Sequence, residues 1–562
     1  MFKKIFGLVI ITIIITASAV SSLAAIPGAP KNSALVFSVS MPAEGREPIN
    51  KIIETVVKSD FFTKAVVKFK ADFGFDFPKS IIDRILRISS LSIVFTIDPK
   101  NIADYLVFAV FITLDTEADA EEVLKSAGAV FESDADSRKN IGKFKETDFK
   151  EVKTFTPDTA ENQVRIIGSG KTAGIAFTMA TEEAAIAESF KPFLRSFTNE
   201  SENVSSIEKF GRAFNFNAKT FNALIYFNSD FVESLSQNKK SEDMKDYLDS
   251  GFLSFSLESD LSKTAFNSSL FFREPKDTSA AELFKVISVI TSSPKGEDAA
   301  STSLPGDILS FADIKLNLGD EFWALPSVSQ YKKAPFMNMM NLNDDVLSWF
   351  DGSIFLAVSE YTINLGALSE MKFQAPEIYI GLGSRSEEKA FKFLDKTRLL
   401  ISNFTSLDLK IKDETLENKI ITVYEVPESP LKNLEICAIA LGNQVIITSN
   451  KEAFKKFSMA KAKKENSLAG TDYVDVAGDF KNSFFSLYSR ASKIVDILNM
   501  LALIKPELSA AKDFTFLRQS AFSARFINRE LSISGVFSID IKKFSFENIM
   551  KQLETLKSPA AK

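Results

Sequence analysis

The chain has 562 residues, 67 Lys plus Arg against 73 Asp plus Glu, a formal charge of -6 and 45% hydrophobic residues. That balance fits a packed globular protein, excludes a disordered one, and lacks the basic field that nucleic acid requires. There is no histidine and only one cysteine, Cys437. These counts exclude His-based nucleophile relays, His-ligated metal sites, intrachain disulfides and thiolate clusters.

Met1-Phe2-Lys3-Lys4 precede an apolar run over 5–20 and then Ser21-Ser22-Leu23-Ala24-Ala25. A charged start, an apolar run and small residues are the parts of a signal peptide, with cleavage expected after Ala24. An uncleaved anchor is the alternative. Against it, the run has 16 residues, where a span needs about 20. No later segment is long and apolar enough to cross a membrane. The expected address is therefore outside the cytosol, periplasmic or extracellular.

The expected layout is a signal peptide over 1–24, a first repeat over 25–290, a linker over 291–303 and a second repeat over 304–562. Each repeat opens after a Pro-Gly pair: Pro27-Gly28 before Leu35-Val36-Phe37, and Pro305-Gly306 before Leu309-Ser310-Phe311. An apolar strand follows over 107–114, matched over 378–382. Thr116 with Asp119, and Ser384 with Glu387, have the spacing of a helix cap and its reciprocal acid. Val123, Leu124 and Ala127 then share one helical face, as do Ala390, Phe393, Leu394 and Thr397.

A hairpin turns at Gly168-Ser169-Gly170, and its counterpart turns at Gly442-Asn443. Helices begin near Thr181 and Asn450. Thr116 and Ser384 are 268 apart and Thr181 and Asn450 are 269 apart, as a tandem duplication predicts. Leu253, Phe255 and Leu257 alternate, as do Leu531, Ile533, Phe537 and Ile539, so both repeats close on half-buried strands. Helices are expected over 279–290 and 545–556. The stretch between them, Thr291-Ser292-Ser293-Pro294-Lys295-Gly296 onward, is polar and broken. The fold class is α+β: two tandem similar domains, each a mostly antiparallel sheet with helices on one face.

The Leu304-Pro305 start, the two-fold layout and the strand–helix order resemble an exported bacterial family catalogued as domain of unknown function 3352. The resemblance covers nearly the whole mature chain and rests on pattern. In the first copy Ile26-Pro27 stands where the second has Leu-Pro. The resemblance implies the duplicated fold and export, and it implies no activity.

Several motifs invite chemistry and have plainer readings. Gly168-Ser169-Gly170-Lys171-Thr172 looks like the end of a phosphate loop, but Arg165 stands where the pattern needs Gly and a strand follows, so a hairpin turn is expected and no nucleotide. Asp134-Ala135-Asp136 begins like a calcium loop, but Arg138 takes the third ligand place and Ile141 follows Asn140, so a solvated loop is expected. Asp344 and Asp345 are read as caps of a helix carrying Val346, Leu347 and Phe350, with Asp351-Gly352 a turn into 353–358; the rival reading is acid–base catalysis. Cys437, inside Ile436-Cys437-Ala438-Ile439, reads as a buried hydrophobe. The mixed-sign runs at Lys239-Lys240-Ser241-Glu242-Asp243 and Lys461-Ala462-Lys463-Lys464-Glu465 read as solvated loops.

Phenylalanine is over-represented, with 53 residues against 9 Tyr and 2 Trp. Phe214, Phe216, Phe221 and Phe227 illustrate the pattern. Core filling is the first reading, and a groove for an apolar ligand or partner is the second. No catalytic, cofactor-binding or metal-ligating residue is assigned, and no ligand-contacting one. The expected function is a non-enzymatic binding or scaffold protein of the cell envelope, with an apolar or extended ligand as its cargo. The alternatives are a carboxylate-dependent glycan hydrolase and a periplasmic chaperone or structural component.

Overall fold

The computed structural model describes residues 28–40, 87–97, 106–133, 144–157 except 151, 163–210, 221–236, 247–257, 262–292 except 276, 303–332, 346–361, 373–374, 376–404, 410–425, 431–432, 435–477, 483–502, 514–540 and 543, with single positions between 50 and 84. The chain divides into two compact units, Met1–Arg273 and Glu274–Lys562.

The first unit holds β1 (Leu35–Ser40), β2 (Ile88–Thr96), β3 (Val107–Leu114), β4 (Phe144–Phe149), β5 (Val152–Pro157), β6 (Val164–Ser169), β7 (Thr172–Thr178), β8 (Phe221–Phe227), β9 (Leu248–Leu257) and β10 (Lys263–Phe272). They pair antiparallel throughout, in the order β4-β5-β6-β7-β3-β2-β1-β8-β9-β10. Helices bounded within the described residues include α1 (Glu117–Ser133), α2 (Glu183–Thr198) and α3 (Ser229–Ser236).

The second unit opens with helix α4 (Thr278–Thr291) and continues with β11 (Ile308–Lys315), the short helices α5 (Asp320–Trp323) and α6 (Pro326–Lys332), and β12 (Phe350–Ser359). Next come β13 (Ile378–Ser384), α7 (Glu387–Phe404), β14 (Lys410–Leu416), β15 (Lys419–Glu425), β16 (Glu435–Leu441), β17 (Gln444–Thr448) and α8 (Lys451–Ala462). Its last described elements are β18 (Phe485–Ser489), α9 (Ala491–Leu501), β19 (Leu517–Ile527) and β20 (Glu530–Ile539), and the helix expected over 545–556 lies outside the described residues. The order is β14-β15-β16-β17-β13-β12-β11-β18-β19-β20, again antiparallel. A two-residue parallel pair, Phe373–Gln374 with Leu431–Lys432, stands apart.

Each unit is thus an antiparallel sheet with helices, an α+β arrangement, but the helices cover both faces rather than one. In the first unit Ile186, Phe190 and Phe193 of α2 pack with Val36, Ile167 and Tyr226. Gly168, the next residue after Ile167, lies under α1: a Cβ there would sit 2.2 Å from Leu124 Cδ1. Successive strand residues point to opposite faces, so α1 and α2 flank the sheet. In the second unit Phe454 and Phe457 of α8 join Cys437, Ile439 and Ile446. Ala390, Phe393 and Leu394 of α7 instead join Ala440 and Val445, one residue along. Burial of each such Phe is worth about 1.5–3 kcal/mol.

Three expected details differ. The division falls before α4, not after it at 291–303. The apolar side of α4 is held in the second unit, where the Phe284 ring lies 6.3 Å from Phe526 and the Asn317 N–H donates to Ile290 O at 2.7 Å. The cap of α7 is Ser386, whose Oγ accepts from the Lys389 N–H at 3.4 Å. Ser384 is still paired with Phe350 as the last residue of β13. The Thr116 cap of α1 stands as expected, its Oγ1 accepting from the Asp119 N–H at 3.1 Å. Phe350 and Asp351 belong to β12, not to a helix and turn. A bulge between Phe350 and Ile354 takes up the difference.

That bulge depends on Gly352. Its φ is +101°, and a Cβ there would lie 1.9 Å from the Leu316 carbonyl oxygen. Gly442, at the tip of the β16–β17 hairpin, has φ +63° with nothing within 4 Å. Gly442→Ala should lower unfolding stability by about 1–2 kcal/mol, the left-handed penalty alone. Gly352→Ala should lose about 3 kcal/mol or more because backbone must also move. Urea unfolding of the two variants checks this, and equal losses would refute the bulge geometry.

Candidate functional site

The motifs singled out in the sequence fall into structural places. Ser169 and Thr172 pair across the β6–β7 hairpin, with Gly170 at φ +54°. Lys171 and Thr172 lead into strand β7, so no helix N-terminus stands ready for a phosphate. Asp134, Asp136, Asp344, Asp345, Phe214 and Phe216 lie outside the described residues, as does the run 239–243. The Asp351 Oδ1 accepts from the Ser353 N–H at 2.7 Å. Gly383 leaves room for that carboxylate, since a Cβ there would come within 2.0 Å of it. Cys437 is fully buried, and burial pushes its thiol up to about 11. Among the described residues no three acidic or cysteine side chains group as a metal site, and no helix is long and apolar enough to cross a membrane.

Two clusters of ionisable groups went unread in the sequence. The Lys456 ammonium donates to Asp307 Oδ2 at 2.8 Å and Glu377 Oε2 at 2.9 Å. The buried Tyr379 hydroxyl donates to the same Glu377 oxygen at 3.0 Å. Desolvation opposes the Lys456 charge, but the two carboxylates outweigh it and hold the ammonium above the usual lysine range. Two carboxylates from distant parts of the chain do converge here, and one ammonium holds both.

The second cluster lies on the core face of the second unit. Asp313, Ser486, Ser523 and Ser534 stand in one cross-strand row over β11-β18-β19-β20. Lys315 Nζ lies 3.2 Å from Asp313 Oδ2, with both side chains under 9% exposed (8% and 6%). The first unit carries hydroxyls and an amide instead: Thr172, Thr113, Ser90, Ser40, Asn222 and Ser256 form a buried row across six strands. Thr113 Oγ1 lies 3.1 Å from Thr172 Oγ1 and accepts from Ser90 Oγ at 2.8 Å. The signal was available as serine at alternate strand positions, Ser38-Val39-Ser40 and Ser90-Leu91-Ser92.

A broader candidate surface is the face of each sheet opposite that core. In the first unit one row reads Phe177-Phe108-Phe95-Leu35-Phe227, and the next reads Ile175-Val110-Ile93-Phe37-Ile225-Leu253. Phe95 and Phe108 lie 4.9 Å apart, ring to ring. In the second unit the rows are Ile380-Leu356-Ala312-Leu487-Phe522 and Leu382-Ile354-Ile314-Phe485-Ala524-Ile533. Ile93 and Phe108 are buried in these rows, but other positions stay open: Leu356 is 48% exposed, Ile533 38%, Ile314 and Ile225 37% and Phe255 36%. Wide, partly exposed apolar surface is the feature that binding of an apolar ligand or partner needs.

No family model and no curated protein sequence matches the chain. Among solved structures, crystal form III of TP0453 is similar at a TM-score of 0.24 and 9% identity, covering 48% of this chain and 88% of that one. Crystal form I of TP0453 gives 0.22 and 11%, over 49% and 88%. Scores that low leave the site to be read from its own geometry.

The buried pair gives a direct test of the polar row. Asp313→Asn should cost about 3–5 kcal/mol in urea unfolding, since it strands the Lys315 ammonium. Asp313→Leu combined with Lys315→Met should cost less than that single change. A single-variant loss below about 1 kcal/mol would mean that the ammonium is already solvated.

Proposed function

We propose that this chain is an exported, non-enzymatic protein of the cell envelope that holds an apolar or extended ligand against the second faces of two related α+β units. The observation that carries the reading is the half-exposed apolar rows around Leu356 and Ile314 in one unit and Ile225 and Phe255 in the other. Burying such surface is favourable at about 25 cal/mol per Å², which a lipid or extended apolar chain supplies without any polar anchor. The N-terminal run over 5–20 supports export.

Duplication is part of the proposal. Strand for strand, the pairing order of β1–β10 matches that of β11–β20. Pro30 bridges to Asn203, and Pro305 to Ser467. The Val204 N–H donates to Ala29 O at 3.0 Å, and the Leu468 N–H to Leu304 O at 2.8 Å. The equivalent of Leu304-Pro305 is therefore Ala29-Pro30, not the Ile26-Pro27 that the sequence comparison suggests. Thr116 and Ser386 cap equivalent helices, each followed by a fully buried alanine, Ala120 and Ala390. Likeness to the domain of unknown function 3352 implies the same plan and belongs to this proposal. A carboxylate hydrolase is less well supported, because Asp307 and Glu377 are both held by Lys456.

Organic extraction of the purified protein, followed by mass spectrometry, tests the reading. A lipid or other apolar compound should appear in stoichiometric amount, and Ile314→Asp with Leu356→Asp should reduce it without unfolding the chain. A clean extract from the unaltered protein would overturn the proposal.

A further inference from the structure

A second kind of site lies where α8 crosses two hairpin tips of the second unit. Glu417 and Asn418, both at positive φ, form the tight turn between β14 and β15. Lys419 follows at once, on the same face of β15 as Ile421 and Val423. Leu441 ends β16 on the face of Ile439, just before the open Gly442 turn. The last turn of α8 brings Ser458, Lys461 and Ala462 over them. Lys419, Leu441, Gly442, Ser458, Lys461 and Ala462 line a hollow of about 340 Å³, at the small end of ligand pockets.

The charges there differ from those of several neighbouring lysines. Lys412, Lys451, Lys455 and Lys456 each reach a carboxylate. Lys419 and Lys461 form no ion pair among the described residues. Desolvation, and then the neighbouring Lys419, hold the Lys461 ammonium below the usual lysine range; Glu387 acts on it in the other direction without pairing. Two like charges facing one hollow repel, and an anion between them would remove that cost. Leu441 and Ala462 supply apolar wall, and Ser458 supplies a hydroxyl donor.

We propose that this hollow binds a small organic anion, with its carboxylate bridging Lys419 and Lys461, accepting from Ser458, and its short apolar body against Leu441 and Ala462. The site is separate from the apolar sheet faces and stands without them.

Titration calorimetry of the full chain with octanoate and octanol tests it. Octanoate should bind one to one, and octanol about tenfold more weakly or worse, the order of one charge-assisted hydrogen bond. Lys419→Gln with Lys461→Gln should weaken octanoate by about tenfold or more, and the corresponding double Arg variant should retain it. Ala462→Phe, which fills the hollow while keeping both charges, should abolish binding. Leu356→Asp should leave octanoate binding unchanged, which separates this site from the proposed function. No octanoate binding, equal binding of octanol, or unaltered binding by the double Gln and Ala462→Phe variants would overturn the proposal.

Discussion

An antiparallel strand that is apolar on both sides must be covered twice. That requirement organises each unit. At the interior strands β1 and β11, side chains alternate between a core face, with Val36 or Phe311, and an opposite face, with Phe37 or Ile314. The core face is closed by α2 or α8 and contains fully buried rings, among them Phe193 in one unit and Phe457, Tyr473 and Tyr488 in the other, while Trp349 is buried on the α7 side. Among the described residues the opposite face receives α1 or α7, through Leu124 or Phe393, and in the first unit it also buries Leu91, Ile93 and Phe108. Between that helix and the far strands the apolar rows keep exposures near 40% for residues such as Leu356 and Ile533 (48% and 38%). The phenylalanine surplus therefore has two destinations, one in the core and one at a surface.

Polar groups mark where the core face ends. In the first unit the end is made of hydroxyls and the Asn222 amide, and Ser90, Thr113 and Thr172 hydrogen-bond to one another across strands. In the second unit Asp313 and Lys315 take that place, and the cost of two desolvated charges is offset by their mutual attraction. The same strand geometry thus tolerates neutral or ionic solutions, even with the Asn222 amide oxygen and the Ser486 hydroxyl buried without a hydrogen bond.

Much of the fold was legible in local pattern. The hairpins at Gly170 and Gly442, the Thr116 cap and the burial of Cys437 all follow from short-range rules. What stayed hidden depended on distant residues. Ser384 and Ser386 both satisfy a capping pattern, and only the pairing of Ser384 with Phe350 decides between them. Ala29 is held by Val204, and α4 by Phe526, each far along the chain. Two helix-covered faces could not be read from periodicity, because the room Gly168 leaves for Leu124 is a three-dimensional fact. Of the candidate surface, the apolar composition was visible, but the register that aligns Ile314, Leu356 and Ile380 was not. The lysine pair at Lys419 and Lys461 carried no sequence signal, since nearby lysines that are ion-paired look the same.

The claim on which this account rests is that the second sheet faces carry cargo while the first faces hold the structure together. Hydroxyl-radical footprinting of the full chain, as purified and after delipidation, measures this residue by residue. The account predicts that oxidation rises on delipidation at Leu356, Ile314, Ile225 and Phe255 and stays constant at Phe311 and Tyr488. Identical footprints in the two preparations would contradict it.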